Sequence, residues 1–185
     1  MRTLRTIALA AALAIPAMVS AQAPAAKSNV LSIQPLAAMF TVYAGELEHR
    51  LGTASTIGLG ASYWSHGDTN KDGSSGKYAS GDLKLKYYPQ GHALEGFSVG
   101  GQVGYTSLTG TETTINGSTT TTQKETLSGP TVGISLDYNW LLGATKGFYI
   151  GLGAGAKKLF IKDSAILTDV IATYPTARLS IGFAF

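Results

Sequence analysis

Along most of this chain apolar and polar residues alternate with a period of two, which places successive side chains on opposite faces of a strand. From Thr41 to Leu51, Tyr43, Gly45 and Leu47 oppose Ala44, Glu46, Glu48 and Arg50. From Thr56 to Trp64, Ile57, Leu59, Ala61 and Tyr63 oppose Thr56, Gly58, Gly60 and Ser62. Ser80–Tyr88, Phe97–Ser107, Thr131–Trp140 and Phe148–Lys157 repeat the pattern, as does the closing segment Ala177–Phe185. Helical periodicity is hard to find, and the glycines are spread through the alternating segments. These seven segments predict an all-β domain.

Parity supplies an eighth strand. Counting back from the C-terminus, long connections fall at about Ile161–Thr173, Thr109–Glu125 and Ser65–Lys77. Short ones fall at Leu141–Gly147, Pro89–Glu95 and Gly52–Ala54. If both chain ends lie on the short-turn side, an outgoing strand must precede Thr41. Asn29–Gln34 alternates suitably, with Pro35 at its end where a missing N–H is tolerable. The stretch Leu36–Phe40 is then expected to be a tight turn on the long-loop side.

The two faces differ in chemistry. Glu46, Glu48, Arg50, Asp82, Lys84, Lys86, Asp137, Lys157 and Arg178 share one face with glycines and serines. The other face carries Leu, Ile, Val, Ala and aromatic residues, with no charge at central strand positions. A soluble ligand-binding barrel would place its apolar face inward and its charges in water. Here the mixed charges suit a narrow interior packed with ion pairs, and the apolar face suits hydrocarbon, where a lysine at mid-bilayer costs about 2–4 kcal/mol. Tyr87, Phe97, Tyr138, Trp140, Phe148, Phe183 and Phe185 are expected near the periplasmic strand ends. Tyr43, Tyr63 and Tyr105 are expected near the external ends, giving two interfacial girdles. The expected fold is thus an eight-stranded antiparallel transmembrane up-and-down β-barrel.

The first residues fit export. Arg2 and Arg5 precede an apolar stretch from Ile7 to Val19, followed by small-x-small patterns, as in a secretory signal peptide. Cleavage after Ala21 is expected, with Ala23 as second choice, leaving residues 22–185 as one barrel domain. The whole chain has 14 Lys and Arg, 11 Asp and Glu, and no cysteine. Loss of Arg2 and Arg5 leaves a formal charge of +1, so the basic balance points to no nucleic-acid partner.

Gly182-Phe183-Ala184-Phe185 resembles the C-terminal aromatic signature by which the outer-membrane assembly machinery recognises its barrels. The layout is similar to the small barrels of the OmpA, OmpX and opacity-protein type. Gln34-Pro35-Leu36, Gly45-Glu46-Leu47-Glu48-His49-Arg50-Leu51 and Gly58-Leu59-Gly60-Ala61-Ser62-Tyr63 also resemble the opening of an outer-membrane barrel family of unknown function. The resemblance implies residence in the outer membrane of a Gram-negative cell. The expected surroundings are outer-membrane lipid and lipopolysaccharide, with the assembly machinery and periplasmic chaperones during biogenesis. The protein is expected to be a monomer without cofactor.

Candidate chemistry is sparse. A lipid A deacylase of the PagL type has a His-x-Ser pair, whereas His49, His66 and His92 are each followed two residues later by something other than Ser. A PagP-type palmitoyltransferase needs an acyl-measuring cavity, which a charged interior opposes. Asp68-Thr69-Asn70-Lys71-Asp72-Gly73 resembles the first half of a calcium loop through Asp68, Asn70 and Asp72, yet position twelve is Ala79 rather than Glu. The threonine-rich stretch around Asn116-Gly117 reads as an external hairpin. The expected function is a non-enzymatic structural or surface-interaction role. The alternatives are a small porin-like conduit of the OmpW type and a membrane-embedded lipid A-modifying enzyme.

Overall fold

The computed structural model describes residues 27–66, 74–116, 119–160 and 172–185. Residues 1–21, expected to be the signal peptide, lie outside them. Eight antiparallel strands run in chain order: β1 (Asn29–Ile33), β2 (Val42–Arg50), β3 (Ser55–His66), β4 (Ser74–Tyr87), β5 (Gly96–Asn116), β6 (Thr119–Leu142), β7 (Phe148–Leu159) and β8 (Ala172–Ala184). Each pairs with its sequence neighbours and β1 pairs with β8, so the sheet closes into a barrel. Closure is sealed at the termini, where the Asn29 and Ser28 amides donate to the Phe185 carbonyl at 2.9 and 3.1 Å and the Phe185 amide donates to Asn29 at 2.9 Å.

The register gives the barrel its geometry. From Ile33, pairing through Gly45, Ala61, Gly81 and Tyr105 arrives at Pro130 on β6. The opposite path, through Ile181 and Ile150, arrives at Trp140 on the same strand. This ten-residue stagger over eight strands requires a strand tilt of about 40°. At that tilt the nine residues of β2 rise about 23 Å, close to the height of about 25 Å of a lipid-facing apolar band. The 24 residues of β6 would rise about 60 Å, so roughly half of the β5–β6 hairpin stands beyond such a band.

The alternation resolves as inside against outside. Leu59, Leu85, Val103, Ile134, Leu136 and Leu152 are exposed on the outer face. Glu46, Glu48, Lys84, Lys86, Asp137 and Lys157 are buried in the interior. A soluble protein would reverse this arrangement; here the exposed apolar belt is the lipid-facing surface of a transmembrane barrel. Aromatics border the belt, with Tyr138 against Trp140 and Phe148 against Phe183 at centroid distances of 4.7 and 6.2 Å at the short-turn end.

Three connections differ from the sequence expectation, the first being Ser65–Lys77, into which β3 runs as far as His66 and from which β4 starts at Ser74. The segment expected as a tight turn at Leu36–Phe40 is instead one turn of helix, α1 (Pro35–Met39). Pro35 suits a first helical position because its missing N–H would be unpaired there anyway, and Thr41 at φ 62° ends the turn. The stretch Thr109–Glu125, expected as a loop, continues both strands, with pairing as far as Asn116↔Thr119. Polar threonines break the hydrophobic signal without breaking the β ladder.

Inward-facing glycines make room for the interior charges. A Cβ on Gly153 would collide with Asp137 Oδ1 and come within 2.8 Å of Arg178 Nε. Gly153→Ala is therefore expected to lower stability by about 1–3 kcal/mol through overpacking. Urea titration of the refolded protein, followed by tryptophan emission, checks this.

Candidate functional site: the charged lumen

The charged side chains reach one another because antiparallel neighbours bring equivalent rows together. On β2, Glu46 and Glu48 project inward two residues apart, and on β4 Lys84 and Lys86 do the same; β3 between them offers Gly58 and Gly60. Glycine leaves nothing to block the cross-strand reach. Lys86 Nζ lies 2.9 Å from Glu46 Oε1 and 2.7 Å from Glu48 Oε2, and Lys84 pairs with Glu46 Oε2. Arg178 on β8 adds a contact to Glu46 Oε2 at 3.3 Å, donates to Asp137 Oδ1 at 2.8 Å and also pairs with Asp137 Oδ2. Higher in the lumen, Lys157 Nζ sits 2.6 Å from Asp82 Oδ1. Ser80 donates to Asp82 at 3.3 Å and Ser135 to Asp137 at 3.0 Å.

Of the nine expected interior charges, Glu46, Glu48, Asp82, Lys84, Lys86, Asp137, Lys157 and Arg178 take part in ion pairs. Arg50 stands apart: its Nη2 donates to the Ala93 carbonyl at 2.9 Å. Buried charges need partners of this kind, since an isolated ion in a low-dielectric interior is prohibitively costly.

Beneath the ion pairs lies a polar relay that pattern reading did not single out. Glu48 Oε1 accepts from Thr56 Oγ1 and, at 2.8 Å, from the Tyr88 hydroxyl. Asn139 Nδ2 donates to that hydroxyl at 3.0 Å, and Tyr149 donates to Asn139 Oδ1 at 2.7 Å. Tyr88 continues the inward spacing of Asp82, Lys84 and Lys86 immediately before Pro89, which is the signal that could have found it. Tyr88→Phe removes a fully buried donor to a carboxylate and is expected to destabilise by about 1–3 kcal/mol. A shift of the urea midpoint at unchanged slope is the readout.

The short-turn end of the lumen is apolar. Val30, Leu94, Leu141, Tyr149 and Ala184 form one buried cluster. Leu94 is wholly buried although its φ of 76° lies in the left-handed region; such strain persists where packing holds it. The turn carrying it is anchored by Ala93 N to Thr53 O at 2.7 Å and by Tyr88 N to Ala54 O at 2.8 Å. The lumen therefore closes at this end, whereas an opening of about 500 Å³ occupies its upper half.

The remaining expected residues are dispersed. His49 faces outward and bonds Asn29 at 2.8 Å; His66 stacks on Trp64 at the far end of β3; His92 is exposed in a turn. Asp68, Asn70 and Asp72 lie outside the described residues. Among the described residues, no group of three or more His, Cys, Asp or Glu is arranged to hold a metal ion. Phe183 and Phe185 are exposed on the outer face at the short-turn end.

No family model and no curated protein matches the chain. Among solved structures, that of Ail, the attachment invasion locus protein of Yersinia pestis, is similar with a TM-score of 0.58 at 10% identity, covering 87% of this chain and all of that one. The structure of the same protein with the heparin analogue sucrose octasulfate gives 0.54 at 11% identity, again covering 87% of this chain and all of that one. The N-terminal β-barrel domain of Pseudomonas aeruginosa OprF gives 0.45 at 18% identity, covering 86% of this chain and 98% of that one. The likeness to Ail establishes the shared fold, a small eight-stranded barrel.

Proposed function

We propose that the protein is a non-enzymatic barrel of the Gram-negative outer membrane that anchors a surface-exposed hairpin. On this reading residues 1–21 direct export, Phe183 and Phe185 serve assembly, and the mature chain is a monomer in lipopolysaccharide-containing membrane. The observation that carries it is the lumen: eight of its nine expected charges are held in ion pairs while Arg50 donates to the Ala93 carbonyl, and its short-turn end is plugged by Leu94, Val30 and Leu141. A barrel filled in this way below its upper cavity spends most of its interior on rigidity, and what it offers the outside is the length of β5 and β6. The absence of a His-x-Ser pair in the sequence weighs in the same direction.

Reconstitution in planar bilayers tests the reading against the conduit alternative. Silent membranes are expected, and discrete conductance steps would refute it. Lipid A mass spectra of deletion and overexpression strains are expected to match the wild type; a gained or lost acyl chain would establish an enzyme instead.

A further inference from the structure

One part of the barrel wall is not a strand. β1 stops at Ile33, paired with Gly45 on one side and Ile181 on the other. β8 extends beyond that level to Ala172, and β2 to Val42. α1 stands in the interval, packed against both strands. It is held to β2 by a backbone bond from Gln34 to Ala44 of 3.0 Å. A helix turn leaves the facing strand edges without the continuous ladder that closes the rest of the barrel.

Two cavities meet at this place. One is the upper lumen, about 500 Å³. The other, about 640 Å³, lies on the lipid-facing side, bordered by Leu36, Leu136, Tyr138 and Leu152. Both are lined by Ala37 and Phe40 of α1, Gly153 and Ala154 of β7, and Ala177 and Arg178 of β8. Ala154 pairs with Ala177 and Gly153 with Arg178 in the unbroken β7–β8 ladder, so the wall beside the helix carries only small outward side chains at this level.

The chemistry of the two cavities is complementary. Apart from Asp137 and Arg178, the outer one is bordered by apolar and small residues. The lumenal one presents three cations, Lys84, Lys157 and Arg178, and a single carboxylate, Asp82, below aromatic residues including Trp64 and Tyr78. Glu46 and Asp137, which complete two of those ion pairs, do not line it. Lys84, Lys157 and Arg178 are already paired with Glu46, Asp82 and Asp137, so a carboxylate or phosphate entering this space would share cations held in place, at a volume typical of small-molecule sites.

We propose that this paired cavity binds a single-chain amphiphile. Its anionic head lies at Lys84, Lys157 and Arg178, and its apolar tail passes beneath α1 into the lipid-facing groove. α1 then acts as the lintel of a lateral opening. The site opens away from the apolar plug, so the proposal stands or falls independently of conductance.

The chain has two tryptophans, Trp64 and Trp140, and Trp140→Phe leaves Trp64 as the sole emitter. This variant in lipid nanodiscs is titrated with 2-bromoundecanoate, whose bromine sits beside the carboxylate and so beside the lumenal Trp64, and with the 2-bromo alcohol of equal length. Saturable quenching by the carboxylate is expected, at least tenfold tighter than by the alcohol. In the same background, Ala44→Phe fills the lumenal half and Ala177→Phe obstructs the shared wall; neither position forms an ion pair. Each is expected to weaken binding at least tenfold while the heat-modifiable gel shift persists. Non-saturating quenching, equal quenching by acid and alcohol, or insensitivity to both variants would overturn the site. Insensitivity to Ala177→Phe alone would overturn the passage of the tail beneath α1. Ala177 faces lipid, so that arm remains readable even if Ala44→Phe fails to fold.

Discussion

Glu46→Ala is expected to lower the unfolding free energy by about 3–5 kcal/mol, the cost of breaking a buried ion pair by deleting one partner. Glu46 is 5% exposed and touches three cations, Lys84, Lys86 and Arg178. Its loss leaves Lys84 without a carboxylate partner and strips one contact each from Lys86, which keeps Glu48, and Arg178, which keeps Asp137. The ions cannot leave the lumen, so the penalty falls on the folded state. Glu95→Ala is the internal control. Glu95 pairs with Lys146 at 2.6 Å, but the two side chains are 39% and 58% exposed, and such surface pairs contribute about 0–1 kcal/mol. Urea titration of both variants in detergent should therefore separate them widely. Similar midpoints for the two would mean that the lumen is wet and its charges are not energetically buried.

Ile134→Arg is expected to cost about 2–4 kcal/mol in a bilayer. Ile134 is 69% exposed and lies four and six residues from Tyr138 and Trp140. At a tilt of about 40° this places it roughly 10–15 Å above the aromatic border, near the middle of the apolar belt. In water an exposed isoleucine can become arginine at little cost, so the substitution distinguishes two solvents. Unfolding measured in lipid vesicles should show the loss. Wild-type stability for the variant would place this face in water.

The fold was legible because the period-two pattern, the mixed charges on one face and the parity of the connections all demanded the same closed barrel. No single strand signal would have sufficed; Asn29–Ile33 is only five residues and was found by direction, since without it Thr41–Leu51 would start on the wrong side. The interior charges were legible for the same reason. Which of them pair was not, because pairing depends on register across strands, and the reach of Lys84 and Lys86 to β2 depends on the glycines of β3. The strand extensions past Ser107 and before Thr131 were hidden by threonine, which fits a β ladder but carries no hydrophobic signal. α1 was hidden by its length. A single helical turn has no periodicity to read, and Pro35 marks a strand end as readily as a helix start. The apolar plug was obscured because Leu94 lies in a turn, where burial is set by how the turn folds beneath the barrel.

Heat-modifiable migration tests the central claim, a closed barrel with its charges inside and its apolar belt in lipid. Purified mature protein, refolded in detergent, is run on a denaturing gel with and without boiling. The unboiled protein is expected to run at a distinctly different apparent mass from the boiled one, because a closed hydrogen-bonded cylinder resists dodecyl sulfate until heated. Identical migration of the two samples would contradict the barrel itself.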